Sequence, residues 1–332
     1  MAFCDSIKLE KGMYNVGGQS FTKVLEHMDP SENYKGTELE GLDAYQRQLK
    51  RFDIKVSGPG CDTIEKFFST TDSAVLFPEF LARAVKQGLR GSEILPSIVA
   101  ATTTIDGIDY RALTSATDAG SAGVAEATAM RGVNVRTKSK LVSLIKHGRL
   151  FNSSYEALRF QNLDVVAVIL KQIGADIAAE QLKDAIDALM LGDGTTPDKA
   201  EIITGGTTIT YAELLKLWQG LQPYKLNTMM ASVTTMKTIL NLPEMKDATA
   251  GLDFQGTGKI VTPMGAKLIP APSMDDDTIL GFDKDFALQM IQSGDIIIDY
   301  DKVIDRQLDR AGISVTTGFA RIFKDAVKVL EF

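Results

Sequence analysis

Two cysteines, two histidines and one tryptophan in 332 residues are the scarcest features of this chain. Cys4 and Cys61 lie far apart, which fits two free thiols in a reducing compartment better than an oxidised scaffold. His27 and His147 cannot supply a histidine-rich metal centre, and neither stands at metal-ligand spacing from a cysteine. No apolar run approaches the ~20 residues needed to cross a bilayer. The N-terminus, MAFCDSIKLEKGMYN, carries acidic residues early and no apolar segment ending in small residues, so no secretory signal is expected. Cations are short as well: 36 Lys and Arg against 43 Asp and Glu give a net charge of -7. A reader of nucleic acid needs the opposite balance, to displace counterions from phosphates. An acidic average suits a container whose wall must not hold DNA tightly.

What is present is ordinary for a folded chain, with 44% hydrophobic and 24% charged residues. The length allows one large domain or two modest ones, each able to fold without disulfides or metals.

Residues 1 to about 70 mix charges, glycines and short apolar pieces, and predict an arm or small irregular subregion with short helices. In SAVLFPEFLARAVKQGLRG, Leu76, Phe80, Leu81, Ala84, Val85 and Leu89 fall at helical spacing before Gly91 stops the run. From Ser97 the pattern turns to β-type runs, SIVAATTTIDGIDYRAL outward and VNVRTKSKLVSLIKHGRL back, around a tip of small residues. The pattern predicts an extended hairpin, and a two-stranded ribbon has no core of its own. It must lie on something.

The return strand is basic: Arg131, Arg136, Lys138, Lys140, Lys146 and Arg149 stand in a stretch with no acidic residue between Glu126 and Glu156. Three readings remain open. The run is a solvated face, or it pairs with an acidic surface on a neighbouring subunit, setting register more than affinity, or it binds phosphate. The third is disfavoured because no aromatic residues interleave with the cations.

Ser153 and Glu156 have capping-box spacing, and Leu158, Asn162, Val166, Ile169, Ile173, Ile177, Ile186 and Met190 follow a three-and-four rhythm. Together they predict a helix of about 36 residues, roughly 55 Å at about 1.5 Å per residue, with a slight bend at Gly174. Asp164, Asp176, Glu180, Asp184 and Asp187 populate its polar side and offer an acidic surface for the basic hairpin. Gly192-Asp193-Gly194 ends it. Beyond, Thr210 and Glu213 open a second helix that stops at Gly220. MMASVTTMKTIL reads as a strand entering a helix, and KLIPAP, TILGF, DIIIDY, ISVTTGFARIF and AVKVLEF read as strands. Helices and strands interleave without a β-α-β repeat, which gives an α+β class.

No motif carries chemistry. GLDFQGTGK lacks the glycine spacing and the Lys-Ser/Thr pair of a phosphate loop, LGDGTTPD lacks the acidic series of a calcium loop, and Asp275, Asp276 and Asp277 read as a solvated turn. Neither histidine has a Ser or Cys in a nucleophile setting. No catalytic, cofactor or metal residue is therefore assigned. Trp218 and the Met229-Met230 pair are assigned to core packing.

The order of these pieces resembles the Hong Kong 97-type bacteriophage major capsid family. The likeness rests on the extended hairpin, the long helix ending AIDALMLGDGT, MMASVTTMKTIL, PMGAKLIPAPSMDDDTILGFDKDFALQMIQSGDIIIDY and a terminal R-x-F-x-x-A-V-x-V-L stretch, and covers roughly residues 75 to 332. It implies an α+β capsid fold with an N-terminal arm (1–70), a first part of a peripheral domain (71–100), an extended loop (101–150), a spine helix (151–193), an axial domain (194–288) and a terminal peripheral sheet (289–332). It further implies a self-assembling, non-enzymatic shell subunit forming hexamers and pentamers in a host bacterial cytoplasm and then in the virion. Scaffolding, portal and decoration proteins are the implied partners, with double-stranded DNA enclosed without specificity and no membrane involved. In that family the extended loop lies across a neighbouring subunit. Some members weld subunits through a loop lysine and a late asparagine; here Lys138, Lys140 and Lys146 are present but no Asn follows Asn241, so such a weld is not expected. A separate scaffolding protein, or none, is expected in place of a large removable N-terminal domain. The alternatives are an encapsulin-type compartment shell and, from another class, a cytosolic hydrolase or ligand-binding protein.

Overall fold

The computed structural model describes residues 6–15, 20–91, 94–117, 126, 133–154, 160–192, 198–246, 262, 264–303 and 308–332. The chain forms two compact units.

The first unit combines Met1–Glu93, Lys146–Glu180 and Ser293–Thr316. Its early helices are short because each is capped within a few residues of the last. Ser20 accepts from the Lys23 N–H to start α1 (Phe21–Met28), and Asp43 with Gln46 forms a reciprocal capping box for α2 (Ala44–Arg51). Thr70 and Ser73 cap α3 (Thr71–Ala74), and α4 (Phe77–Gly91) ends at the expected glycine. These helices bury Phe21, Leu25, Tyr45, Leu49, Phe77, Phe80, Leu81 and Val85 in one core with Leu163, Val166, Leu170 and Ile177 of the long helix α5 (Leu163–Leu191). The missing periodicity before residue 70 thus reflects short capped segments that share a core.

Arg47 ties this region together. Its buried guanidinium donates to Asp29 Oδ2 at 2.7 Å, to the Asp29 carbonyl at 2.5 Å, to Ser31 Oγ at 2.9 Å and to the Leu42 carbonyl at 2.6 Å. It also lies 4.4 Å from the centre of the Tyr34 ring, whose hydroxyl donates to Asp29 Oδ1 at 2.6 Å.

The long helix is shorter than the sequence rhythm implies. It begins at Leu163, because Ser153 lies in strand β4 (Leu144–Ser154) and does not cap a helix. Its 29 residues span about 44 Å. Ile169 of the rhythm is half exposed, with Val165 and Val168, whereas Leu163, Leu170 and Ala178 are buried. Gly174 is a point of contact: a Cβ there would sit 2.3 Å from the Val85 carbonyl, and one on Gly88 would sit 2.0 Å from the Lys171 carbonyl. The two glycines let α4 and α5 cross with their backbones nearly touching.

The second unit combines Ile94–Ile145, Gln181–Gln292 and Thr317–Phe332. Its centre is a five-stranded mixed sheet in the order β5-β11-β8-β6-β7, from β5 (Glu201–Thr204), β6 (Thr228–Ala231), β7 (Lys267–Pro270), β8 (Thr278–Phe282) and β11 (Val327–Glu331). β11 runs parallel to β5 and antiparallel to β8. Both β6 and β8 are buried throughout, because alternate side chains serve two different cores. Met230, Leu280, Phe282, Val327 and Val329 meet Leu182, Ala185, Ile186 and Leu189 of α5. Met229, Ala231, Ile279 and Leu330 meet α6 (Tyr211–Gly220) and α7 (Val233–Leu240) through Leu214, Leu217, Met236 and Ile239. Met229 and Met230 are core residues, as the sequence indicates.

Trp218 is not: it is 44% exposed. Helix α6 aims Leu214, Leu217 and Leu221 at the sheet, and a residue four on from Leu214 falls on the flank of that stripe. Thr210 caps α6 by accepting from the Glu213 N–H, but Glu213 pairs with Lys216. Asp275–Asp277 form a turn, in which the Asp275 carbonyl accepts from Thr278 and Asp276 accepts from Ser232 and Thr235. The GLDFQGTGK segment, Asp193 and Cys4 lie outside the described residues; Cys61 is a free, partly buried thiol.

Candidate assembly surfaces

A second sheet takes the order β1-β9-β10-β4, with β1 (Ala101–Ile105), β9 (Leu288–Val303) and β10 (Leu308–Arg321). The outward and return strands expected to pair along 101–150 do so only in their distal part. Nearer the root, β1 lies beside β9 and β4 beside β10, on opposite edges of this sheet. Between these edges and the tip, β2 (Leu113–Thr117) and β3 (Val133–Thr137) form an isolated antiparallel ribbon with Leu113 opposite Thr137 and Ser115 opposite Val135. The root is held by the Lys138 N–H to the Ala112 carbonyl and the Val142 N–H to the Tyr110 carbonyl, both 2.8 Å. Gln289 on β9 also donates to Thr103 and Tyr110 at 2.8 Å.

In the register of the ribbon, Leu113 and Val135 share one face while Arg136 stands on the other. Leu113 and Val135 are 53% and 62% exposed. Asn134, Arg136 and Thr137 are exposed as well. The described side chains of the ribbon are thus exposed on both of its faces.

No protein-family model matches the chain, and no curated protein matches it. Solved structures do. The chain is similar to the subunit of a virus-like particle from Pyrococcus furiosus, at 14% identity and a TM-score of 0.55 over 76% of this chain and 98% of that one. It is similar to a Microbacterium phage Oxtober96 structure at 10% identity and a TM-score of 0.54, covering 72% and 91%. The capsid of an empty GTA particle matches at 16% identity and a TM-score of 0.52, covering 73% and 90%. The chain has the Hong Kong 97-type capsid fold.

Within the Hong Kong 97-type fold of this chain, the basic residues of the return strand divide by partner. Lys138 is turned inward: its Nζ donates to the Arg321 carbonyl at 3.1 Å and lies 3.7 Å from Asp198. Arg149 pairs with Glu180 of the same chain, and His147 Nδ1 lies 3.1 Å from the other oxygen of that carboxylate. Lys138, His147 and Arg149 thus make their contacts within their own chain. Lys140 is exposed on the surface, and Arg131 lies outside the described residues. Arg136 and Lys146 are exposed, and their side chains have no hydrogen bond or ion pair among the described residues.

The acidic set divides in the same way. Glu180 is occupied by Arg149 and His147, Asp164 accepts from the Val165 N–H at 2.8 Å, and Asp176 accepts from Gln172 at 2.9 Å. Asp184 is partly buried and Asp187 exposed on the next turns. Partial burial, opposed by Lys183 and reinforced by Asp184, holds the Asp187 carboxyl above the usual carboxylate range. Glu180 is thus engaged by cations of its own chain, while Asp164, Asp176 and Asp187 remain exposed on α5.

Sequence reading missed the pair that anchors the root. Arg321, buried on β10, donates to the Leu189 carbonyl at 2.9 Å and lies 3.6 Å from Asp198. A signal was present, since Thr317, Phe319 and Arg321 alternate on one face of a strand and an inward arginine requires an acid. Asp198 stands in a turn and gave no such signal. Gly192 completes the arrangement: it has a φ of 63° at the end of α5, and a Cβ there would sit 2.3 Å from Asp198 Oδ2. Among the described residues no cluster of His, Cys, Asp or Glu could hold a metal, and no helix is long and apolar enough to cross a membrane.

Proposed function

We propose that this chain is the major capsid protein of a tailed bacteriophage or prophage, a non-enzymatic subunit that assembles into hexamers and pentamers of an icosahedral shell enclosing double-stranded DNA. The carrying observation is the β2–β3 ribbon: it belongs to a capsid fold, a two-stranded ribbon has no core of its own, and its described side chains, Leu113 and Asn134 to Thr137, are exposed. A shell supplies the missing surface from the adjacent copy, through heterologous contacts that close around a symmetry axis. The proposed division is an N-terminal arm at 1–70, a first peripheral part at 71–100, an extended loop at 101–150, a spine segment at 151–193 whose helix is Leu163–Leu191, an axial domain at 194–288 and a terminal sheet at 289–332.

Arg136 and Lys146, exposed cations without an ion pair among the described residues, steer encounter between copies, since exposed charges act on association rate and register more than on affinity. Reversing both, Arg136→Glu with Lys146→Glu, is expected to slow assembly about tenfold or more below ~0.1 M salt, with thermal stability of the subunit unchanged and the deficit shrinking as salt screens the charges. Light scattering during assembly reads this out; an unchanged rate at low salt contradicts the role. The contents of the particles decide the cargo: nuclease-protected double-stranded DNA supports the phage reading, and an enclosed enzyme supports an encapsulin-type shell.

A further inference from the structure

The solvent side of α5 changes character along the helix. Toward its C-terminal end it carries Asp176, Lys183 and Asp187, whereas near its start Val165 is 49% exposed, Val168 63% and Ile169 49%. At three- and four-residue spacing these three form one ridge, on the side of the helix away from Leu163, Val166 and Leu170, which fill the core. A contiguous ridge of branched aliphatic side chains on a rigid helix marks an interaction surface.

One flank of the ridge carries Asp164 and Lys171. Seven residues apart, they lie on the same side of the helix, and about 10 Å along its axis separates them, too far to pair with each other. Asp164 is exposed and bonds only the neighbouring Val165 N–H, through one oxygen. Lys171 is partly exposed, and its side chain has no hydrogen bond or ion pair among the described residues.

We infer that this ridge packs antiparallel against the same ridge of a second copy of the chain, about a two-fold axis. The inference rests on the shell reading above and adds a contact of another kind: heterologous contacts close each capsomer, and an isologous one joins a capsomer to the next. An isologous contact requires a surface that complements itself when reversed, and this ridge does. With Val165 of one helix opposite Val168 of the other, Val168 faces Val165 in return, and the exposed Gln161 and Gln172 face each other at both ends. In the same register Asp164 falls opposite Ile169, two residues or about 3 Å along the axis from Lys171 of the other copy. Antiparallel helices related by a two-fold bring like flanks together, so two ion pairs form, one in each direction. An acid at one end of a flank and a base at the other is what a reversed copy matches.

Three aliphatic side chains per copy fall well short of the ~800 Å² per partner of a stable interface. The pairing therefore does not dimerise free subunits; it acts once closed capsomers bring several copies of the ridge together.

The test is a charge exchange. Asp164→Lys and Lys171→Asp, each alone, set like charges together twice in every contact and are expected to lower particle yield about tenfold below ~0.1 M salt. The double variant restores opposite charges and is expected to recover yield to within about twofold of the unsubstituted chain. Because the two positions do not touch within one helix, such rescue requires α5 to meet a second α5. Yield that stays low in the double variant overturns the inference, as does yield that falls in neither single variant. Val168→Asp is expected to lower yield about tenfold with the melting temperature of the subunit unchanged, and normal yield from it overturns the inference too. If the unsubstituted chain forms no particles, the shell reading itself fails, and the inference with it.

Discussion

Arg47→Ala is expected to destabilise the first unit by about 3–5 kcal/mol, the range for removing one partner of a buried ion pair. The guanidinium is fully buried, and so is Asp29, whose side chain is 1% exposed. Truncation leaves that carboxylate without its cation and removes the donors to Ser31 Oγ and to the Asp29 and Leu42 carbonyls. An unsatisfied buried charge costs far more than a lost surface contact. Arg47→Lys is expected to recover only part of the loss, because a single ammonium cannot reproduce a planar fork that bonds in several directions while lying over the Tyr34 ring. Urea unfolding of the subunit measures both variants. A loss below ~1 kcal/mol for Arg47→Ala contradicts the role assigned to this residue, since that is the scale of an exposed pair.

Gly88→Ala is expected to cost about 3 kcal/mol or more, at or above the usual ~1–3 kcal/mol for overpacking. The reason is what the new methyl group meets. At 2.0 Å from the Lys171 carbonyl it strikes backbone, which has no rotamer through which to yield, so α4 and α5 must separate. Gly174→Ala meets the Val85 carbonyl from the other side and is expected to behave alike. Gly91→Ala supplies the contrast: it lies in the same helix with no heavy atom within 4 Å of the added carbon. Alanine there is expected to be neutral or to stabilise by up to ~1 kcal/mol, as helix propensity alone dictates. Propensity predicts the same sign for both substitutions in α4; contact predicts opposite signs. Denaturation midpoints of Gly88→Ala and Gly91→Ala, measured together, decide between them.

The sequence carried the strands and most helix limits plainly because those signals are local. Gly91, Gly192 and Gly220 mark helix ends, Thr210 caps α6, and the alternating runs near the C-terminus are strands. The start of the long helix was misread because Ser153 and Glu156 imitate a capping box, while the strand through Ser154 is fixed by pairing with β10, a partner some 160 residues away that local spacing cannot reveal. The same non-local cause separates Lys138 and Arg149 from Arg136. All three look alike in a basic run, yet Asp198 and Glu180 claim the first two through the fold. Trp218 was assigned to the core on residue type, whereas its angle on the helix sets its exposure. The proposed need for a neighbour, by contrast, rests on a local signal, since a two-stranded ribbon has no core of its own.

That need is the centre of the account, and cryo-electron microscopy of the purified, assembled protein tests it most directly. The predicted result is closed hollow particles in which residues 113–117 and 133–137 of every subunit lie against an adjacent copy. A protein that remains monomeric at every concentration and salt, or particles in which these strands project uncovered into solvent, would contradict it.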